Sequence, residues 1–217
     1  MIAVVQKFRG TSLTARALRS AAFTLGGFGS SQVIRLASNL ILTRVLFPEA
    51  FGLMALSMIF MQGLQMFSDV GVAPAIQQSK RGDDPDFLDT AWTIQVVRGF
   101  CLWIAACLLA WPAAQFYGEP MLMWLLPAYG LTLILHGFHP TKMETANRHL
   151  MLGRITLLDI VTQVVGILTA VALAWWLQSV WALVISGVLS TMVQLALSIH
   201  FLPGRANRFR WEKPAAH

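Results

Sequence analysis

Four ionisable residues lie inside long apolar stretches of the sequence: Arg35, Asp69, Arg98 and Asp159. A charged side chain at the depth of a lipid bilayer costs at least a few kcal/mol, so it usually faces a cavity or a partner. The two arginines would give such a cavity a cationic character. The two aspartates carry the charge to bind a coupling ion or a proton, or to pair with the arginines.

Polar residues accompany these charges on the same helical faces, because positions three, four or seven apart lie above one another in an α-helix. The stripes are Gln32, Arg35 and Asn39; Gln62, Gln65 and Asp69; Gln95 and Arg98; Asp159 and Gln163; and Ser186, Ser190 and Gln194. Two interpretations stay open. The stripes line a hydrated cavity inside a helix bundle, or Arg35 pairs with Asp69 and Arg98 with Asp159 as contacts between helices.

Motifs for catalysis and for metal binding are missing from the sequence. It contains no HExxH, no Walker A motif, no GxSxG and no aspartate-rich set. His136 and His139 form only an HxxH pair, and Pro140 interrupts the helix that would hold further ligands in register. Cys101 and Cys107 would face different directions on a helix, so we interpret them as packing residues. We therefore predict no enzyme activity, no cofactor and no metal.

The elements that carry the stripes are predicted to be transmembrane helices. Residues of the set AVILMFWYC make up 56% of the chain, charged residues only 12%, and the mean hydropathy is +0.62. A soluble domain has about 25% charged residues, so this composition excludes one. Crossing a bilayer takes about 20 residues. Six apolar runs reach that length: about 21–45, 50–77, 87–111, 121–140, 155–177 and 180–202.

Basic residues indicate the orientation of this predicted six-helix bundle, 21–202. Thirteen of the sixteen Lys and Arg residues fall on one side. They lie in the basic segment 1–20, in the link between the second and third runs, in the link between the fourth and fifth runs, and in the basic tail 203–217. Arg44 is the one basic residue on the other side. The positive-inside rule then places both termini in the cytoplasm. Anionic membrane lipid accounts for the net charge of +6, so we predict no nucleic-acid partner.

The segment 41–78 resembles a pattern of the polysaccharide-repeat flippases, the Wzx-type transporters of the multidrug/oligosaccharidyl-lipid/polysaccharide exporter superfamily. The matching residues are Arg44, Leu46, Pro48, Phe51, Gly52, Asp69, Gly71 and Gln77. Three later segments, 90–92, 147–150 and 181–184, resemble the links and span starts of the same family in the same order. Similar proteins continue into a second lobe where this chain ends.

The resemblance implies an all-α carrier in the bacterial inner membrane, of which this chain would be the amino-terminal lobe. Its cargo would be an undecaprenyl-diphosphate-linked oligosaccharide for exopolysaccharide, O-antigen or lipopolysaccharide synthesis. Its partners would be a second lobe or a second copy, and polysaccharide assembly proteins. Arg35 and Arg98, with Gln32, Asn39 and Gln95, are the candidate substrate residues. Asp69 and Asp159 are the candidates for ion coupling or charge pairing.

Three other functions remain open at this stage. A drug or metabolite exporter of the same superfamily is the nearest alternative. A membrane-embedded transferase would need the acid, base or metal motifs that the sequence lacks. A membrane partner that transports nothing itself is the third.

The charge distribution predicts the topology. Reporter fusions should give cytoplasmic signals at Arg16, Arg81, Arg148 and Arg208, and external signals at Phe47, Gly118 and Gln178. The reason is the excess of basic residues in the first set of links. An external signal from a fusion at Arg81 or Arg148 would contradict the six-span arrangement.

Overall fold

The computed structural model of the protein describes residues 13–68 and 71–211, and for residues 13–25 it describes the backbone alone. These ranges contain eight α-helices and no strand, as the sequence predicts for an all-α protein. The helices are α1 Leu13–Val45, α2 Pro48–Phe67, α3 Val72–Gln78, α4 Pro85–Tyr117, α5 Leu122–Gly137, α6 Lys142–Arg148, α7 Leu152–Leu177 and α8 Trp181–Phe201.

Four of these helices, α2, α4, α7 and α8, are long and apolar enough to cross a membrane. The pair α5 and α6 would supply a fifth span, bent by 59°. Helix α1 has 33 residues but is not among the candidates, because Gln32, Arg35 and Asn39 lower the hydropathy of its middle. The helices are those of a multi-pass membrane protein, and the count of six spans stays a prediction.

Two of the six predicted runs are not single straight helices. The run 50–77 breaks between Phe67 and Val72, where Gly71 adopts a left-handed backbone with φ of 69° that suits glycine. The single run that the sequence predicts is therefore two helices, α2 and α3. In the run 121–140 the helix ends at Gly137. A second helix, α6, follows Pro140 at an angle of 59° to α5, because proline cannot continue a helix.

Helix α4 has a clear start signal. Pro85 occupies its first turn, and the Asp84 carboxylate accepts a hydrogen bond of 3.1 Å from the Asp86 amide. The Arg81 side chain also donates to Asp84 at 2.7 Å, and these hydrogen bonds lower the pKa of the Asp84 carboxyl. The helix therefore begins at Pro85, two residues before the predicted start of the apolar run at Phe87.

The turns between helices gather at two opposite ends of the bundle. At one end, which we call the closed end, a buried cluster contains Ala50 of α2, Leu125 of α5 and Val180, which precedes α8. At the other end, which we call the basic end, Arg148 contacts Asp83 at 3.4 Å. The links that the sequence assigns to one side of the membrane thus lie together. The side of the membrane that each end faces stays a prediction.

The first part of the tail, Leu202 to Trp211, lies across the basic end. The Asn207 Nδ2 donates to Thr141 Oγ1 at 2.7 Å, and the Thr141 amide donates back to Asn207 Oδ1 at 3.1 Å. The Arg208 amide donates to the buried Asp89 carboxylate of α4 at 3.0 Å. The tail therefore ties the end of α8 to α4 and α6. Lys213, within the predicted basic tail, lies outside the described residues.

Helices α4 and α5 approach closely where Gly99 crosses Gly137. A Cβ added at Gly99 would stand 2.8 Å from the Leu133 carbonyl oxygen, and one added at Gly137 would stand 2.8 Å from the Gln95 carbonyl oxygen. Two backbones can meet at this distance only when neither residue has a side chain. Helices α1 and α7 also pack closely at Gly27, where an added Cβ would collide with the side chain of Thr156.

Alanine at the crossing should destabilise the protein. Gly99→Ala or Gly137→Ala places a methyl group against rigid backbone, and overpacking of this kind costs about 1–3 kcal/mol. We expect a lower melting temperature in detergent for each variant. Gly63→Ala in α2 is the control, because nothing lies within 4 Å of its Cβ position. An unchanged melting temperature for Gly99→Ala would show that the crossing tolerates a side chain.

Candidate functional site

Arg98 lies near the middle of α4 and reaches across to the last turn of α2. Its Nε donates to Ser68 Oγ at 2.9 Å, and its Nη2 donates to the Gln65 carbonyl oxygen at 2.8 Å. The last four carbonyls of a helix have no partner within the helix. Arg98 satisfies one of them at the point where α2 breaks, and its positive charge favours the negative end of the helix dipole.

The rest of the Arg98 side chain borders a cavity of about 680 Å³ between α2, α5 and α8, which we call the Arg98 pocket. Its polar lining consists of Gln62, Gln65, Arg98, Tyr129, Thr132, His136 and Thr191. The Gly99–Gly137 crossing places Arg98 and His136 on facing helices within this lining. The pocket therefore combines one permanent cation with neutral hydrogen-bonding groups.

A smaller cavity adjoins the pocket and reaches Gln95. It shares Gln65, Arg98 and His136 with the Arg98 pocket. The Gln95 Oε1 atom is buried and accepts no hydrogen bond within the described part of the chain, and the same is true of His139 Nε2. A buried polar atom without a partner carries a desolvation cost, which a bound water or ligand group would remove.

A second cleft of about 540 Å³ continues from the Arg98 pocket towards the closed end, and we call it the Asn39 cleft. The two cavities share Met58 and Tyr129. Its polar lining consists of Asn39, Tyr129, Gln163, Ser186 and Ser190. All five predicted stripes thus contribute to these adjoining cavities. The contributing residues are Asn39 of α1, Gln62 and Gln65 of α2, Gln95 and Arg98 of α4, Gln163 of α7, and Ser186 and Ser190 of α8.

The cleft closes at one end and is open further along. Met54 of α2 packs with Val184 of α8 at the closed end. Further along, the same two helices form opposite walls, with Gln62 on one side and Thr191 on the other. Because α2 and α8 separate in this direction, the cavity widens towards the basic end.

The remaining candidates lie elsewhere. Arg35 and Gln32 are exposed on α1, whereas Ser31 of the same helix contacts α7 through Gln163. Asp159 accepts a hydrogen bond from Gln194 at 3.3 Å, between α7 and α8. Asp69 lies outside the described residues, so the predicted pair of Arg35 and Asp69 stays a prediction.

The alternative in which Arg98 pairs with Asp159 is not what the structure shows. Arg98 bonds to the end of α2, and Asp159 bonds to Gln194. The physical reason is the arrangement of the helices: α4 packs mainly against α5, whereas α7 packs against α8 and α1. The two charges therefore stand on different parts of the bundle.

Sequence reasoning missed the contribution of α5 to the site. Tyr129, Thr132 and His136 follow the same spacing of three and seven residues as the recognised stripes, and all three line the Arg98 pocket. His136 and His139 are stacked, with ring centroids 5.3 Å apart. The spacing of these three residues is visible in the sequence, but Tyr129 and Thr132 carry no charge that would distinguish them within an apolar run.

Two further basic residues cap helix ends at the basic end. Lys142, only 9% exposed, donates from Nζ to the Ile199 carbonyl oxygen of α8 at 3.1 Å. Arg148 donates to the carbonyl oxygens of Ile76 and Ser79 at the end of α3. Part of the positive charge that the sequence assigns to a lipid-facing rim therefore stabilises helix ends.

Comparison with known proteins gives one family. The model of a family described as "Polysaccharide biosynthesis protein" matches residues 41–216. No curated protein and no solved structure matches the chain. The matched range includes α2 to α8 and hence the whole lining of the Arg98 pocket. Gln32, Arg35 and Asn39 of α1 precede it.

Proposed function

The chain belongs to the polysaccharide biosynthesis protein family, and from that premise we propose that it is one lobe of a carrier. The carrier would move lipid-linked oligosaccharide repeat units across the bacterial inner membrane for exopolysaccharide, O-antigen or lipopolysaccharide synthesis. It would be a transporter and not an enzyme. The observation that carries the proposal is Arg98, a permanent cation held in a polar cleft among apolar helices.

Arg98 is suited to attract the diphosphate of such a cargo. A guanidinium group has five N–H donors. The two bonds to Ser68 and Gln65 engage Nε and Nη2, and Nη1 makes no hydrogen bond within residues 13–68 and 71–211. An arginine with remaining donors in a cavity of low dielectric is a strong phosphate ligand, because it offers charge and directed hydrogen bonds together.

The neutral lining of the pocket suits the rest of the polar cargo. Amide, hydroxyl and imidazole groups such as Gln62, Thr132 and His136 exchange hydrogen bonds with sugar hydroxyls without requiring a charge.

The open side of the cleft supports the proposal of a second body. Gln32 and Arg35 are exposed on α1, where hydrocarbon would otherwise surround them. Alternating access also requires two bodies that move about one central site. We therefore propose that a second lobe or a second copy of the chain covers this side, and that polysaccharide assembly proteins supply and receive the cargo.

Substitution of Arg98 tests the proposal. In a host deleted for the gene, complementation with Arg98→Ala should abolish polymer export, and lipid-linked repeat units should accumulate on the cytoplasmic side. Arg98→Lys should retain part of the export, because lysine keeps the charge but loses the planar fork. The measurement is surface polymer together with extracted lipid-linked saccharide.

Arg44→Ala is the matched control, since Arg44 is an exposed arginine at the closed end, away from the cleft. It should leave export unchanged. Each variant is compared at equal amounts of membrane-inserted protein, because Arg98 also caps α2. Full export by a stably inserted Arg98→Ala protein would exclude a role for Arg98 in cargo binding.

The need for a second body gives a separate prediction. A cysteine at position 35 on α1 should cross-link to a partner chain or lobe, because this exposed polar face is costly to leave in lipid. A cysteine at Ile59, which is 67% exposed on α2, serves as the control for chance collision. Export by a chain that cross-links at neither position would contradict the two-body arrangement.

A further inference from the structure

The Asn39 cleft offers a different surface from the Arg98 pocket, because most of its lining is apolar and several of its polar side chains are bonded within the protein. The Ser186 Oγ donates to the Leu183 carbonyl oxygen at 3.0 Å. The Gln163 Nε2 donates to the Ser31 carbonyl oxygen at 2.9 Å. What remains available to an occupant is mainly apolar: Leu42, Phe51, Met54, Ala55, Ile167 and Leu183.

In the Arg98 pocket the opposite holds. Arg98 keeps donors that no described residue uses, and the buried Gln95 Oε1 in the adjoining cavity has no partner. The two compartments meet at Met58 and Tyr129, so a single ligand can occupy both. Together they form a volume with a polar, cationic part towards the basic end and an apolar part towards the closed end.

We propose that the Asn39 cleft binds the first units of the isoprenoid chain of the lipid carrier while the attached diphosphate lies at Arg98. This inference rests on the proposed function and adds where the lipid part of the cargo lies. An apolar chain leaves the internal hydrogen bonds of Ser186 and Gln163 intact and packs against the apolar lining. A saccharide in the same place would lose hydrogen bonds to water against a lining that is mostly apolar.

The helices on either side of the cleft provide a lateral entrance. Asn39 and Leu42 line it from α1, and Ala55 and Met58 line it from α2. The two helices are consecutive in the chain and joined only by the short turn at the closed end, between Val45 and Pro48. Because α1 and α2 make few contacts with each other, the gap between them is the route by which the lipid chain would reach the cleft.

The order of the two compartments along the bundle matches the order of phosphate and chain in a lipid of the leaflet at the basic end. Such a lipid has its phosphate near the basic end and its chain towards the middle of the bilayer. In the structure the arginine lies on the basic side of the junction at Met58, and the apolar cleft lies on the far side of it. The cargo would therefore enter without turning over.

Photocross-linking tests the inference. The full chain in lipid nanodiscs is irradiated with geranylgeranyl diphosphate that carries a benzophenone at the end of its chain, and the cross-links are mapped by mass spectrometry. We expect cross-links around Phe51 to Met58 and around Ile167. Ala55→Phe should lower their yield about tenfold, because the new ring fills space that the chain would bury.

Ala37→Phe is the matched control. Ala37 is exposed on α1, two positions from Asn39 and so about 200° around the helix from the cleft. It should leave the cross-links unchanged. The inference is overturned if Ala55→Phe, folded with a normal melting temperature, cross-links like the wild type. It is also overturned if the wild-type cross-links fall only on lipid-facing residues, because that pattern means that the probe only partitions into the bilayer. This outcome is read from the wild type alone.

An uncharged geranylgeraniol analogue separates failure of this inference from failure of the proposed function. Cleft cross-links with both analogues, together with full export by Arg98→Ala, would support the chain site and overturn the diphosphate role of Arg98. Loss of export in Arg98→Ala without any cleft cross-link would support the proposed function and overturn the chain site.

Discussion

The constraint on which the structure depends is the need to satisfy helix carbonyls where water is scarce. Three helices end towards the basic end with a basic side chain from another helix on their last carbonyls: α2 with Arg98, α3 with Arg148 and α8 with Lys142. A cation near a helix C-terminus contributes about 0.3–1 kcal/mol at exposed sites and more where burial removes screening. Each contact also joins two helices, so the same bonds that complete the helix ends hold the basic end together.

The structure also requires α4 and α5 to pack closely, and two glycines make this possible because they have no side chain. Gly99 and Gly137 bring the two backbones together, and this fixes the position of Arg98 relative to His136. The break after Phe67 then brings the end of α2 within reach of Arg98. A straight α2 would have no free carbonyl at that depth, so the broken helix and the intramembrane arginine depend on each other.

Much of the fold follows from the sequence because apolar length, proline and charge act locally. Helices α2, α4 and α5 begin at Pro48, Pro85 and Leu122, each within two residues of the start of its predicted apolar run. Apolar length alone does not identify α1 as a span, because a helix that carries Gln32, Arg35 and Asn39 needs a polar neighbour to cover it. Local signals define where a helix begins and ends. They do not define what lies beside it.

In the candidate site, too, local sequence signals do not define what lies beside a residue, because the same residue type in similar stripes has different roles. Gln163 and Gln95 each stand in a polar stripe on a long helix, and periodicity gives them the same interpretation. The structure bonds Gln163 to Ser31 of a neighbouring helix, whereas Gln95 Oε1, which lies beside Arg98, has no partner among the described residues. The difference arises from which helix packs opposite each residue, a property of the tertiary arrangement. A polar residue in a membrane helix therefore becomes a candidate ligand only when its neighbours leave its hydrogen bonds unused.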